Sequence, residues 1–118
     1  MRRFRVELTL HARGGGASRR VETLVDTGAG YTVIPRQILD SLGCEPNRIQ
    51  RVVLADGRVE EWPLTEVLVE YEGRRTTTPA LMGPSGGPVL LGATTLEELG
   101  LGIDPVHRRL VPVDLYLA

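Results

Sequence analysis

One short segment, LVDTGAG at residues 24–30, constrains this 118-residue chain most. Apolar residues lead up to a single aspartate, Asp26, and the chain then breaks at once into a glycine-rich loop. A carboxylate at the end of a buried strand is costly unless something needs it there. Asp26 is therefore the first candidate for a functional residue, and the rest of the chain has to explain it.

Most of the chain reads as short strands separated by turns. Apolar and polar residues alternate from Phe4 to Leu10, which is the period of a half-buried strand. The pair Asp56-Gly57 between two strand-like runs is typical of a hairpin turn, and Pro63 places part of the second run at an edge or a bend. The predicted strands are residues 4–10, 20–25, 31–34, 48–54, 59–71, 76–82, 89–92, 101–103 and 110–117.

Two short helices complete the predicted elements. Pro35 suits a first helical turn and Gly43 suits the position after a helix end, so residues 35–42 are predicted to be helical. Either Thr94 or Thr95 is predicted to cap a second helix that runs through Leu99. The chain is thus predicted to be one mainly β domain, residues 1–118, which is long enough for a real core.

A faint internal repeat links the Asp26 segment to a later part of the chain. An apolar strand, a glycine and a short helix occur around residues 24–28 and again around residues 90–94. The second copy carries no aspartate. A true repeat of this kind predicts two similar half-units packed face to face.

Composition narrows the expected partners and location. A formal net charge of -1 gives no electrostatic reason to expect nucleic acid. No apolar run approaches the roughly 18 residues that a membrane-spanning helix needs, and the first residues lack a signal peptide's apolar stretch. The single cysteine cannot form an internal disulfide. We therefore expect a cytoplasmic protein that binds neither nucleic acid nor membrane.

The other candidate ligands and nucleophiles have plainer interpretations. His11 and His107 lie in or near predicted turns without metal-ligand spacing, so we expect solvated side chains and no metal site. Cys44 has no activating base near it in sequence and is expected to be a small buried residue after a helix. Trp62 is expected to pack under the predicted hairpin, with a contact to substrate as the alternative.

The Asp26 segment and its context resemble the retropepsin-like aspartic proteases. The resemblance rests on the motif at residues 26–29 (DTGA), on the Asp-Gly hairpin where that family has its flap, and on residues 90–92 (LLG) followed by a short helix. It covers most of the chain. It implies a single-domain, closed β-barrel with one or two short helices that acts as a homodimer. A bacterial-type member of the family is expected. All 14 basic residues are arginine, which we interpret as coding bias of a high-GC genome.

The resemblance also implies roles for individual residues. Asp26 is the expected catalytic residue, the flap hairpin is expected at about residues 48–72, and the dimerisation segment is expected at about residues 109–118. The expected active-site loop consists of Thr27, Gly28, Ala29 and Gly30. The expected flap residues that touch substrate are Leu54, Ala55, Asp56, Gly57 and Arg58. The expected pocket residues are Pro88, Val89 and Leu90.

The chain departs from the family's retroviral members at two positions. Those members often carry an acidic residue where Gly30 stands and an arginine where Ala93 stands, and this pair helps to brace their dimer. The absence of both residues indicates a different bracing scheme. The flap tip also has one glycine, Gly57, rather than a glycine-rich string.

The chemistry of amide hydrolysis accounts for one aspartate in such a setting. Hydrolysis by water needs a base to take a proton and an acid to supply one, and two close carboxylates can divide these roles. The chain has one aspartate so placed, so its partner has to come from a second copy across a two-fold axis. The function implied is an aspartic endopeptidase that cleaves extended peptides and needs no cofactor.

Three other interpretations of the same residues are open at this point. Asp26 alone could be a loop aspartate that caps backbone amides. The chain could also be a catalytically silent dimerisation or peptide-binding module with the same fold. A purely structural β domain would bind no peptide at all.

Overall fold

The computed structural model describes residues 3–118. Over that range the chain forms nine strands and two helices: β1 (Arg5–His11), β2 (Ser18–Val25), β3 (Thr32–Pro35), α1 (Arg36–Ser41), β4 (Arg48–Val53), β5 (Val59–Tyr71), β6 (Arg74–Gly83), β7 (Leu90–Leu91), α2 (Ala93–Leu99), β8 (Leu101–Asp104) and β9 (Arg109–Pro112). The predicted mainly β class with two short helices is confirmed. Across the same residues, no helix is long and apolar enough to span a membrane.

Seven strands form one sheet in the order β1-β2-β7-β3-β6-β5-β4. Strand β1 pairs with β5 as well as with β2, through residues 9–11 against residues 68–70. The pairings therefore return to β1 through a ring of six strands. Strand β4 lies outside this ring and pairs with β5 as the first strand of a hairpin. Strands β8 and β9 form a separate two-stranded sheet.

The core follows the alternation in the sequence. In β1, Leu8 and Leu10 are fully buried, whereas Arg5 and Glu7 are exposed. Both helices contribute apolar side chains to the same core cluster. Burial of each large apolar side chain contributes about 1.5–3 kcal/mol, so this core supplies most of the driving force for folding.

The two halves of the internal repeat lie side by side. Strand β2 pairs in parallel with β7, with Leu24 opposite Leu90 and Val25 opposite Leu91. The Asp26 loop and the start of α2 therefore leave the sheet at the same edge. This parallel pairing sets the geometry of the site described below.

The last predicted strand is shorter than expected. Residues 110–117 were expected to form one strand, but β9 ends at Pro112, and residues 113–118 are exposed and outside any strand. The reason is the length of the partner: β8 begins at Leu101, which pairs with Pro112, so the ladder has no further strand to pair with. One more backbone bond, from the Val113 N–H to the Gly100 carbonyl (3.0 Å), ends the pairing.

The start of α2 also differs from the prediction. Gly92 is the N-cap and no side chain caps the helix, so neither threonine has the predicted role. Thr95 is instead a fully buried residue within the helix. The Pro63 prediction is confirmed, because β5 pairs only with β4 at this point and its pairing with β6 begins at Leu64.

Candidate active site

Backbone hydrogen bonds fix Asp26 at the end of β2. Its N–H donates to the Leu91 carbonyl (3.0 Å), and its own carbonyl accepts from the Ala29 N–H (3.1 Å). The side-chain Oδ1 accepts a hydrogen bond from the Gly28 N–H (3.0 Å). A Cβ at position 28 would lie 3.1 Å from that same oxygen, so glycine lets the loop turn close to the carboxylate.

The second carboxylate oxygen of Asp26 has a partner that sequence reasoning missed. The Arg3 Nη2 lies 3.3 Å from Asp26 Oδ2. Only 14% of the Asp26 side chain is exposed, against 56% for Arg3. The strand register could have shown this pair: Arg5 lies opposite Leu24, so two residues earlier Arg3 comes opposite Asp26.

The loop that carries Asp26 is braced by the first amides of α2. The Ala93 N–H donates to the Ala29 carbonyl (2.9 Å), and the Thr94 N–H donates to the Gly30 carbonyl (3.0 Å). These bonds satisfy helix N–H groups that a side-chain cap would otherwise satisfy. A brace of backbone atoms cannot be read from residue types, which explains why the threonine-cap prediction was wrong.

A cluster of three buried hydroxyls lies behind this loop. The Thr95 Oγ1 is 2.5 Å from Thr32 Oγ1 and 2.8 Å from Thr78 Oγ1, and all three side chains are fully buried. The Thr32 hydroxyl also accepts a hydrogen bond from the Gly92 N–H (3.1 Å). The cluster thus ties β3, β6 and α2 together beneath the Asp26 loop. Threonines at core positions of the apolar pattern were the signal that could have revealed it.

Asp26 opens onto a cleft of about 850 Å³ between the loop and the β4–β5 hairpin. Among residues 3–118, Asp26 is the one carboxylate-bearing residue in the cleft wall. The wall is otherwise largely apolar. Its larger apolar members are Leu24, Tyr31, Val33, Val52, Val53, Leu54, Trp62, Leu81, Pro84, Pro88 and Leu90. Such a lining suits an apolar ligand held near one carboxylate.

Some of the residues expected to line this site lie in the cleft wall, and others lie outside it. Those found in the cleft wall are Asp26, Gly28, Ala29, Gly30, Leu54, Ala55, Pro88 and Leu90. Thr27 is exposed beside Asp26. Val89 differs from the prediction: it packs against the core cluster, while its carbonyl accepts from the Leu24 N–H (2.9 Å). Adjacent residues of an extended chain point to opposite faces, so Pro88 and Leu90 reach the cleft and Val89 does not.

The hairpin tip is built from local bonds. The Leu54 N–H donates to the Arg58 carbonyl (2.8 Å), and Gly57 adopts a positive φ of 87° that completes the turn. The Arg58 N–H and guanidinium both donate to the Asp56 carboxylate, and these hydrogen bonds lower the pKa of Asp56. Asp56, Gly57 and Arg58 lie at the exposed tip rather than in the cleft wall.

The remaining candidates lie away from this cleft. Cys44 is buried as predicted, and burial raises the pKa of its thiol. His107 is exposed, as expected, but the prediction for His11 was wrong: His11 ends β1, and its Nε2 lies 2.9 Å from Glu70 Oε1 with 19% of the side chain exposed. Within residues 3–118, no three His, Cys, Asp or Glu residues are grouped as metal ligands. Trp62 packs near Gly83 and also lines the cleft.

The fold and the aspartate-bearing cleft define a retropepsin-like aspartic protease. The sequence profile of the family described as "gag-polyprotein putative aspartyl protease" matches residues 15–98, and the chain belongs to this family. The resemblance drawn from the sequence is thereby confirmed, and the bacterial-type assignment stays a prediction. No curated protein sequence matches the chain.

Two solved structures of viral proteases are similar to most of this fold. The solution structure of simian foamy virus (mac) protease superposes with a TM-score of 0.57 at 18% identity, covering 81% of this chain and 94% of that one. EIAV protease in complex with the inhibitor HBY-793 superposes with a TM-score of 0.63 at 22% identity, covering 84% and 89%. At 18% and 22% sequence identity, these similarities show the fold alone.

Proposed function

We propose that this chain is an aspartic endopeptidase whose active site is formed by Asp26 from each of two copies. The observation that carries this proposal is the position of Asp26. It projects from a braced loop into a largely apolar cleft. Among residues 3–118, it is the one carboxylate-bearing residue in the wall of this cleft. The family and the fold support the general class, and the cleft supports the finer assignment.

The chemistry requires the second copy. One carboxylate takes a proton from a water molecule while the oxygen of that water attacks the peptide carbonyl carbon. A second, protonated carboxyl group donates a proton in the same cycle. The amide nitrogen then leaves with a proton as the C–N bond breaks. A lone Asp26 cannot hold both protonation states at once, but two carboxyl groups about 3 Å apart share one proton, as in the aspartic proteases that illustrate this principle.

The expected substrate is an extended peptide with apolar side chains. The cleft wall offers apolar surface, including Tyr31 and Trp62, and the β4–β5 hairpin covers one side of it. An extended peptide exposes backbone N–H and C=O groups that the Asp26 loop and the hairpin can bond, while its alternate side chains enter apolar pockets. Cleavage of peptides whose charged side chains would enter the apolar part of the cleft is expected to be slower, because burying an unpaired charge is costly.

The C-terminal segment, residues 113–118, is the proposed dimer contact. It follows β9, lies outside both sheets and has one charged side chain, Asp114. Leu115, Tyr116 and Leu117 are 85%, 87% and 87% exposed. Large apolar side chains left this exposed on one segment mark an interaction surface, and the proposed partner is a second copy of this chain.

Cleavage of a mixed peptide library between about pH 4 and pH 7 tests the proposal, with wild type compared against Asp26→Asn. Cuts made by wild type and absent with Asp26→Asn are the expected result. Equal cutting by both proteins would contradict the role of Asp26. Peptide binding without any cutting would instead identify a silent peptide-binding module with this fold.

A further inference from the structure

An ion pair covers Asp26 in the single subunit. The Asp26 Oδ1 accepts from the Gly28 N–H (3.0 Å), and the Asp26 Oδ2 lies 3.3 Å from Arg3 Nη2. Both carboxylate oxygens are therefore engaged within one chain. Arg3 also belongs to the wall of the cleft into which Asp26 projects.

The position of Arg3 follows from the fold. Phe4 is buried in the core, and its carbonyl accepts a hydrogen bond from the Val25 N–H (2.8 Å). This anchor holds the residue before it beside the residue after Val25, which is Asp26. The pairing is thus set by the β1–β2 register and by a core side chain, while the Arg3 side chain remains more than half exposed.

A guanidinium in this position is at odds with the proposed reaction. Arginine is always charged, and a cation beside a carboxylate favours its ionised form. The reaction needs the opposite arrangement, in which two carboxyl groups approach each other and one of them keeps a proton. In a symmetric dimer each Arg3 guanidinium would occupy an oxygen of the Asp26 carboxylate that the second carboxyl group has to approach.

We infer that Arg3 is an autoinhibitory latch, which pairs with Asp26 in the lone subunit and is displaced when two subunits assemble the active site. This inference rests on the proposed function, because it presupposes the two-copy site. The latch stabilises the monomer and therefore opposes dimerisation. It also keeps the carboxylate engaged before a partner arrives.

The chain offers a matched control for this pair. The Arg5 Nη1 lies 3.3 Å from Glu22 Oε1, also between β1 and β2, with side chains 63% and 69% exposed. Arg5 and Glu22 are not part of the cleft wall. Arg5→Gln removes the same charge at the same ion-pair distance and is expected to leave dimerisation unchanged.

The test measures the dimer dissociation constant by sedimentation for wild type, Arg3→Gln, Arg3→Lys and Arg5→Gln. Removing one partly exposed ion pair from each of two subunits is expected to tighten the dimer by roughly 2-fold to 30-fold. Arg3→Lys keeps the charge and is expected to dimerise as wild type does. In an Asp26→Asn background the effect of Arg3→Gln is expected to be much smaller, because its partner charge is already gone.

The activity of the same proteins separates the latch from the proposed function. With the latch removed, the specific activity at low subunit concentration is expected to rise relative to that of Arg5→Gln, in step with the larger fraction of dimer. An unchanged or weaker Arg3→Gln dimer, together with cleavage that depends on Asp26, would overturn the latch alone. A tighter Arg3→Gln dimer without cleavage by any variant would support the latch and contradict the protease function.

Discussion

The hydroxyl cluster under the Asp26 loop makes a prediction about stability that can be worked out from its hydrogen bonds. Thr95→Val keeps the shape of a fully buried side chain but removes the hydroxyl that bonds both Thr32 and Thr78. Each such bond contributes about 0.5–1.5 kcal/mol net, so the loss of two is expected to lower the free energy of unfolding by about 1–3 kcal/mol. The loss arises mainly because the buried Thr78 hydroxyl loses its Thr95 partner, whereas the Thr32 hydroxyl keeps the Gly92 N–H.

The double variant provides the sharper comparison. Thr78→Val combined with Thr95→Val removes both ends of the 2.8 Å bond, so the Thr78 hydroxyl is no longer left unsatisfied. The double variant is therefore expected to be less destabilised than the sum of the two single variants, by at least about 0.5 kcal/mol. A simple packing effect would give additive losses.

Urea unfolding followed by far-UV circular dichroism measures these differences as shifts in the midpoint at constant m value. Thr77→Val, at an exposed position of β6 next to Thr78, is the matched control and is expected to change stability by less than about 0.5 kcal/mol. A Thr95→Val protein as stable as wild type, or strictly additive losses in the double variant, would refute the reasoning.

Two further predictions concern the brace and the acid range. Gly92→Ala places a Cβ 2.5 Å from the carbonyl carbon of Tyr31, so the backbone brace at the start of α2 has to shift. The free energy of unfolding, measured with urea, is expected to fall by about 1–3 kcal/mol. An unchanged unfolding midpoint would contradict this prediction. The hydrogen bond from His11, together with the charge of Arg75, lowers the pKa of Glu70. Because the folded pKa is the lower one, this pair stabilises the fold above the ordinary glutamate pKa of about 4.3, and its contribution is lost as the pH falls below that value. The stability difference between wild type and Glu70→Gln is therefore expected to shrink on acidification; a difference independent of pH would contradict the assignment.

Much of the fold could be predicted because short stretches of the sequence carry the signals for its strands and turns. Apolar alternation located β1, and the Asp-Gly pair located the tip between β4 and β5. These signals depend on neighbours in sequence, so one chain suffices to read them. The end of β9 could not be read in this way, because the length of its partner strand decides where the ladder stops.

Sequence reasoning could propose site residues where residue types carry the information, and it could not anticipate contacts that depend on the three-dimensional geometry. An aspartate after an apolar strand pointed to Asp26, and the downstream glycine pointed to the neighbouring strand β7. The brace from α2 uses backbone atoms that every residue has, so no residue type reveals it. The Arg3 contact depends on the register of β1 against β2. Whether the Val89 side chain faces the core or the cleft depends on its exact position along an extended segment.

The central claim is that one active site takes Asp26 from two subunits, and a mixing experiment tests it most directly. Wild-type protein at fixed concentration is equilibrated with a ninefold excess of Asp26→Asn protein, well above the dimer dissociation constant and with substrate in excess. Random pairing then leaves only about one-tenth of the wild-type subunits paired with each other, so cleavage is expected to fall to about one-tenth. A cleavage rate unchanged by the excess of Asp26→Asn protein would contradict the shared site.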